Sequence, residues 1–192
     1  MGIVLKNLSK TYGDTAILKD FSKEFKDNSF TCIMGKSGGG KTTLLNIIMG
    51  IINQDKGTVE GVEKAKFSAV FQENRLCENL TALLNVKMVT DIAGIYSEKD
   101  IIKCFERIGI NALDKKPVSE FSGGMKRRVA ILRALMADFD ILLMDEPLKG
   151  LDEETKTDVV SLILEFTKGK AVIMTTHDIS EVKLFNAEII QI

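Results

Sequence analysis

Between residues 35 and 42 the chain reads Gly35-Lys36-Ser37-Gly38-Gly39-Gly40-Lys41-Thr42, which satisfies the pattern G-x-x-x-x-G-K-S/T. Glycines let the backbone fold into a concave nest whose N–H groups face phosphate oxygens, and a helix starting near Lys41 adds the positive end of its dipole. Lys41 supplies a point charge to the β- and γ-phosphates, and the hydroxyl of Thr42 is suited to Mg²⁺. A Gly-rich turn alone could arise by chance. Here the flanks agree with the motif: an apolar, β-rich run precedes it at Phe30 to Met34, and Lys41 to Met49 has helical spacing.

A second chemical element is Ile141-Leu142-Leu143-Met144-Asp145-Glu146-Pro147. The run is too apolar for a strand with one solvated face, and it ends in two adjacent acids. Successive strand residues face opposite ways, so the two carboxylates have different surroundings. Asp145 is placed to hold Mg²⁺, directly or through water, and Glu146 to orient or deprotonate the water that attacks a γ-phosphate. Alone, a buried strand meeting a solvated acidic turn would explain the run equally well; the glycine loop tips the balance.

The elements that must position these residues alternate in type. Strands are predicted at Ile3 to Leu8, Leu18 to Lys26, Phe30 to Met34, Thr58 to Glu60 and Phe67 to Phe71. Helical spacing follows at Leu80 to Ala93 and Glu98 to Ile108, within a helical insert of about residues 75–120. Alternation resumes with a helix from Met125 to Ala137 and a buried strand from Ile141 to Met144. A helix capped by Asp152 and stopped by Gly169 comes next, then a strand from Ala171 to Thr175. This order argues for an α/β fold with a parallel sheet covered by helices.

Composition bounds the possibilities. The 192 residues suffice for one domain with a real core, 45% are apolar, and 26 basic against 27 acidic residues leave a net charge of −1. Neither disorder nor an electrostatic nucleic-acid binder is indicated. The apolar windows are interrupted well before the ~18 residues of a membrane helix. No basic and apolar leader opens the sequence, and Lys6 stands where a myristoylation motif needs Ser or Thr. Cys32, Cys77 and Cys104 are scattered, as expected of reduced thiols.

With these motifs in order, the chain resembles an ABC-type ATPase, the nucleotide-binding domain of ATP-binding cassette systems, over nearly its whole length. Phe121-Ser122-Gly123-Gly124-Met125 resembles the signature LSGGQ, and Gln72 resembles the glutamine of the Q-loop. Gly150-Leu151-Asp152 resembles the D-loop, His177 the switch histidine, and Tyr12 the aromatic residue that stacks on adenine. Individually each has a plainer explanation, as a surface amide, a flexible turn or a packing residue. The departures are Phe121 and Met125 for the commoner Leu and Gln, and Lys149 where small residues are frequent. The segment between Gly57 and Phe71 and the stretch after His177 look trimmed.

The resemblance implies a P-loop NTPase fold: a RecA-like, mostly parallel sheet, a small N-terminal antiparallel β subdomain and a helical insert subdomain. Its expected layout is one domain over residues 1–192, with 1–34 and 56–71 in the antiparallel part, about 75–120 helical, and the remainder the core. It implies ATP as substrate and Mg²⁺ as cofactor. Nucleotide contacts would come from Tyr12, Gly35, Ser37, Gly38, Gly39, Gly40, Lys41, Thr42 and Thr43, and from Ser122, Gly123, Gly124 and Asp152. Thr42, Gln72 and Asp145 would hold the metal, and Glu146, His177, Gln72 and Lys41 would carry catalysis.

Two chains, identical or related, would sandwich ATP between the Lys41 loop of one and the Ser122 loop of the other. Work would require a separately encoded membrane permease, and through it a solute-binding protein, which puts the chain on the cytoplasmic face of the cell membrane. The docking segment is expected around Arg75 to Val86, which carries Leu76, Leu80, Leu83 and Leu84. Phe71 to Leu76 and Gly123 to Arg128 are similar to importer ATPases of the nitrate, sulfonate and taurine branch. Leu80 to Val86 also resembles small exporters and lipoprotein-release ATPases. The alternative within the same family is a soluble ATPase of an assembly process such as iron–sulfur cluster biogenesis. A P-loop kinase or GTPase leaves Ser122-Gly123-Gly124 and His177 unexplained, and a nonhydrolytic binding module leaves Glu146 without a role.

Overall fold

The computed structural model describes residues 2–192. Its strands are β1 (Ile3–Tyr12), β2 (Thr15–Phe25), β3 (Phe30–Met34), β4 (Lys56–Glu60), β5 (Phe67–Val70), β6 (Ile141–Asp145), β7 (Ala171–Thr175) and β8 (Glu188–Gln191). Its helices are α1 (Lys41–Ile48), α2 (Ala82–Ala93), α3 (Glu98–Arg107), α4 (Gly123–Leu135), α5 (Glu153–Phe166) and α6 (Ile179–Leu184). Among the described residues no helix is long and apolar enough to cross a membrane.

The strands form two sheets, an antiparallel one ordered β2-β1-β4 and a five-stranded parallel one ordered β5-β6-β7-β3-β8. This is the expected α/β architecture, with one change of allegiance. The expected layout places residues 30–34 and 67–71 in the antiparallel part, but β3 pairs parallel with β7 and β8, and β5 parallel with β6. The reason is two-sided burial. Cys32 faces one apolar cluster and Ile33 the other, and the same alternation runs through Leu142 and Leu143 on β6 and through Val172 and Ile173 on β7. Such strands need cover on both faces, which a parallel sheet between helical layers supplies.

One face packs on α1 and the antiparallel sheet, through Ile33, Leu143 and Ile173 against Leu44, Leu45 and Leu5. The other belongs to a cluster shared by α2, α3, α4 and α5, in which Phe105, Val129 and Leu162 are fully buried. The helix ends follow local chemistry. The Thr81 side chain caps α2 by accepting from Leu84 N, Ser97 and Asp100 form a reciprocal capping box on α3, and Asp152 caps α5. The helix α6 and strand β8, absent from the sequence expectation, extend the sheet past β3: Ile190 lies beside Ile33. Cys32 is fully buried in this sheet, which with Glu181 nearby pushes its thiol up to about 12 and leaves it inert.

Candidate functional site

Parallel strands leave their carboxyl ends along one edge, where the connecting loops make a crevice. Here β3 delivers the glycine loop, β6 delivers Asp145 and Glu146, and β7 delivers Thr175, Thr176 and His177. The central strand sets the register, because Thr175 lies beside Ile33 on one side and Asp145 on the other.

The loop closes on itself through Gly39 N donating to Lys36 O at 3.0 Å. Gly40 begins α1 at φ 92°, a conformation costly for an L side chain, and a Cβ there would lie 2.7 Å from Ile17 Cγ2. Lys41 is buried, and its Nζ donates to Gly35 O at 2.9 Å and Lys36 O at 3.1 Å, which holds the ammonium inside the concavity. A cleft of about 340 Å³ lies over this loop, lined by Ser37 to Thr43 with Tyr12, Ile17, Gln72, Asp145, Glu146 and Lys149. Tyr12 is 48% exposed, so its ring is available at the rim to a flat aromatic ligand.

Asp145 is buried, yet both oxygens accept from hydroxyls rather than from a cation: Oδ2 from Thr42 Oγ1 at 2.6 Å and Oδ1 from Thr175 Oγ1 at 2.5 Å. The Thr42 and Asp145 pair is an all-oxygen donor set, and it fits Mg²⁺ better than a softer metal.

Glu146 has left-handed backbone, φ 46°, unusual for a residue with a Cβ. Its N–H is shared between Thr175 O at 3.2 Å and Thr175 Oγ1 at 3.0 Å. This turn breaks the strand alternation and brings both Asp145 and Glu146 to the cleft. Lys149 Nζ donates to Glu146 Oε2 at 2.7 Å, and His177 Nδ1 stands 3.3 Å from Oε1. Lys149 is the main reason that the Glu146 carboxyl is held below the usual carboxylate range; burial opposes it and His177 adds to it.

The remaining candidates divide. Gln72, Ser37, Gly38, Gly39, Gly40, Thr42 and Thr43 line the cleft, and Gly35 contributes its carbonyl to Lys41. Ser122, Gly123, Gly124, Asp152 and His177 do not line it, and His177 meets the site only through Glu146. Ser122 caps α4, accepting from Met125 N at 3.2 Å, and with Gly123 is exposed on the surface. Asp152 accepts from Thr155 N and Oγ1, each at 2.9 Å, and these bonds hold its carboxyl below the usual range. The docking segment also needs correction. Leu76 is buried, Leu80 and Leu83 are partly covered, and the exposed apolar side chains are Leu84, Met88, Ile92 and Ile95.

Sequence reasoning missed Thr175, Lys149 and Arg127. A threonine ending an otherwise apolar strand was the signal for the first. The unusual residue before Gly150 marked the second.

With that geometry in place, the likenesses to known proteins are specific. The ABC transporter family matches residues 18–149. The lantibiotic transport ATP-binding protein SrtF of Streptococcus pyogenes is 32% identical over 187 residues, which cover 93% of this chain and 81% of that protein. The taurine import ATP-binding protein TauB of Jannaschia sp. (strain CCS1) is 34% identical over 206 residues, covering 98% and 76%. Among solved structures, the dimeric bacterial ABC transporter cassette MJ0796 superposes with a TM-score of 0.85 at 32% identity, over 99% of this chain and 94% of that one. Its dimeric post-hydrolysis state bound to ADP and Pi gives 0.85 at 30% identity with the same coverage. At these identities and coverages the chain belongs to the ABC transporter family as an ATP-binding and ATP-hydrolysing subunit.

Proposed function

We propose that two copies of this chain, or this chain and a related cassette, close head to tail on ATP, and that hydrolysis reopens them to drive a separately encoded membrane permease. The observation that carries this reading is a division of labour. The phosphate loop, Asp145 and Glu146 share one cleft, whereas Ser122-Gly123-Gly124, itself a helix N-terminus suited to an anion, lies outside it, with Gly123 and Gly124 on a neighbouring recess beside Gln72, Glu146 and Lys149. The phosphate cleft and the Ser122 loop are thus two separate anion-binding surfaces, suited to hold one nucleotide between two chains. The dimeric cassettes that this chain resembles support pairing of two cassettes.

Within one site, Tyr12 stacks on adenine, the loop N–H groups and Lys41 hold the phosphates, and Glu146 orients and deprotonates the water that attacks the γ-phosphorus in line with the departing ADP oxygen. His177 steadies the Glu146 carboxylate from beside the cleft. Thr42, Asp145 and Gln72 are the residues that would hold Mg²⁺, which when bound neutralises charge on the β- and γ-phosphate oxygens. In the Glu146→Gln background, where hydrolysis is blocked, ATP is expected to drive dimerisation measured by sedimentation. Adding Ser122→Arg should abolish that dimer. A dimer that persists with Arg at 122 would overturn the composite site.

The permease contact is assigned to the outer face of α2 and the turn after it. Leu84 and Met88 are spaced one helical turn apart and about half exposed, Ile92 follows at the same spacing, and Ile95 lies just beyond. Four large exposed apolar side chains in so short a segment mark an interaction surface. Relatives named as transport and import ATP-binding proteins make a cytoplasmic helix of a permease the fitting occupant. Leu84→Asp with Met88→Asp is expected to leave basal ATP hydrolysis within about twofold, because surface substitutions perturb stability little and neither side chain lines the cleft, and to release the chain from membranes containing its permease. Retention on those membranes would move the contact elsewhere.

A further inference from the structure

Arg127 sits one turn into α4 and is almost fully buried, at 5% exposure. Its guanidinium meets no carboxylate. Nε donates to Pro147 O at 2.9 Å, and Nη2 donates to Asp145 O and to Glu146 O, both at 2.7 Å. On the other side of the fork Nη1 donates to Phe71 O, to Gln72 O at 3.5 Å and to Asn74 Oδ1 at 3.4 Å. One side chain thus gathers the carbonyls of two segments about 70 residues apart in sequence, the loop carrying Gln72 and the turn carrying Glu146.

Converging carbonyl oxygens repel one another unless a cation sits among them, so these two segments approach because Arg127 is there. The geometry of Glu146 sharpens the point. Its left-handed backbone is a strained conformation that persists only where neighbours over-determine it. Thr175 holds the N–H of that residue and Arg127 holds its carbonyl. The direction in which the Glu146 side chain leaves the backbone is therefore set jointly from β7 and from α4. Further along α4, Arg133 donates to Arg75 O at 3.0 Å and Asn74 O at 3.3 Å, so the Gln72 loop is tied to this helix at both ends.

We propose that Arg127 is a positioning residue for hydrolysis: it fixes the Glu146 turn and the Gln72 loop in one frame on α4, without touching nucleotide or water itself. The proposal rests on the reading of Glu146 and Gln72 given above. It follows that displacement of the Gln72 loop by a docked partner is transmitted to the Glu146 carboxylate through a single guanidinium. A lysine cannot substitute, because its donors radiate from one atom and do not span carbonyls on both segments.

The test compares Arg127→Gln and Arg127→Lys with Glu146→Gln in the full chain. It reads steady-state ATP hydrolysis, binding of a fluorescent ATP analogue and amide hydrogen exchange. Misplacement of a reacting group by about 1 Å costs roughly 10²-fold, and a loss of that order in kcat is expected for both Arg127 variants, with the ATP Kd held within about threefold. Exchange should quicken together in residues 71–76 and 145–150 and remain unchanged in β1 and β2. A kcat within about twofold of the parent in Arg127→Gln, or full recovery by Arg127→Lys, would overturn the proposal. So would exchange that quickens throughout the chain with kcat and affinity falling in parallel, or failure of both variants to fold, since each makes Arg127 a general anchor. Hydrolysis that survives in Glu146→Gln instead defeats the underlying reading of Glu146, whatever the Arg127 variants do.

Discussion

Glu146→Gln is expected to lower kcat for ATP hydrolysis by about 10² to 10⁴-fold, the range that a positioned general base contributes, with ATP affinity little changed. The substitution conserves shape. Its amide oxygen can still accept from Lys149 or from His177, so the turn held by Thr175 and Arg127 persists. What it removes is the anion. With the Lys149 ammonium 2.7 Å away, the native carboxyl is held below the usual range, so it is present as the anion that the Gln variant lacks. The same depressed pKa has a stability consequence. A carboxylate whose folded pKa is lowered stabilises the fold above its unfolded value and loses that contribution as pH falls through the folded one. The Gln variant should therefore lose a little stability at neutral pH and converge with the parent in acid. A coupled ATPase assay alongside binding of a fluorescent nucleotide separates the two effects. A residual rate above about a tenth of the parent would remove Glu146 from the base role.

The parts of this site that are legible in the sequence are those whose chemistry is local. The glycine loop, Lys41 and Thr42 occupy consecutive positions, and the backbone conformation they need is written in the same residues that bind. The bounds of β3 and β7 are read correctly because each is a short apolar run closed by polar residues. Partnership is less legible. Whether β3 joins the antiparallel strands or the parallel sheet depends on β7 and β8, far along the chain, and no pattern within Phe30 to Met34 names them.

Arg127 shows the same limit at the scale of one side chain. Lys126, Arg127 and Arg128 are three consecutive cations on α4, yet the three side chains diverge. Lys126 pairs with Glu78, Arg127 enters the carbonyl cluster, and Arg128 donates to Ile108 O at 2.6 Å. Helical geometry gives their directions but not what lies there. Leu76 and Met88 invert the usual expectation for a similar reason. The leucine nearest Gln72 is buried by the insert, and the more distant methionine is half exposed.

Lys41→Met tests the other half of the chemistry, and its largest effect is expected in binding rather than turnover. Methionine keeps much of the apolar stem and deletes only the charge. Hydrogen bonds to a charged group contribute about 1.5–3 kcal/mol, so loss of the ammonium from the phosphates should weaken ATP binding by roughly 10- to 100-fold. The fold itself has little to lose. The ammonium donates to Gly35 O and Lys36 O, carbonyls of a loop that borders the open cleft, where water can replace it. Lys41→Arg should fail as a rescue. The planar guanidinium is larger than the point charge that this concavity encloses. Because the proposed dimer closes on nucleotide, Lys41→Met should also fail to dimerise at ATP concentrations that saturate Glu146→Gln, and higher ATP should recover the dimer. Calorimetric titration measures the affinity and sedimentation the dimer. Parent-like affinity in Lys41→Met would mean that the loop N–H groups alone hold the phosphates, whereas weakened binding with parent-like dimerisation would uncouple closure from nucleotide and sink the proposed cycle.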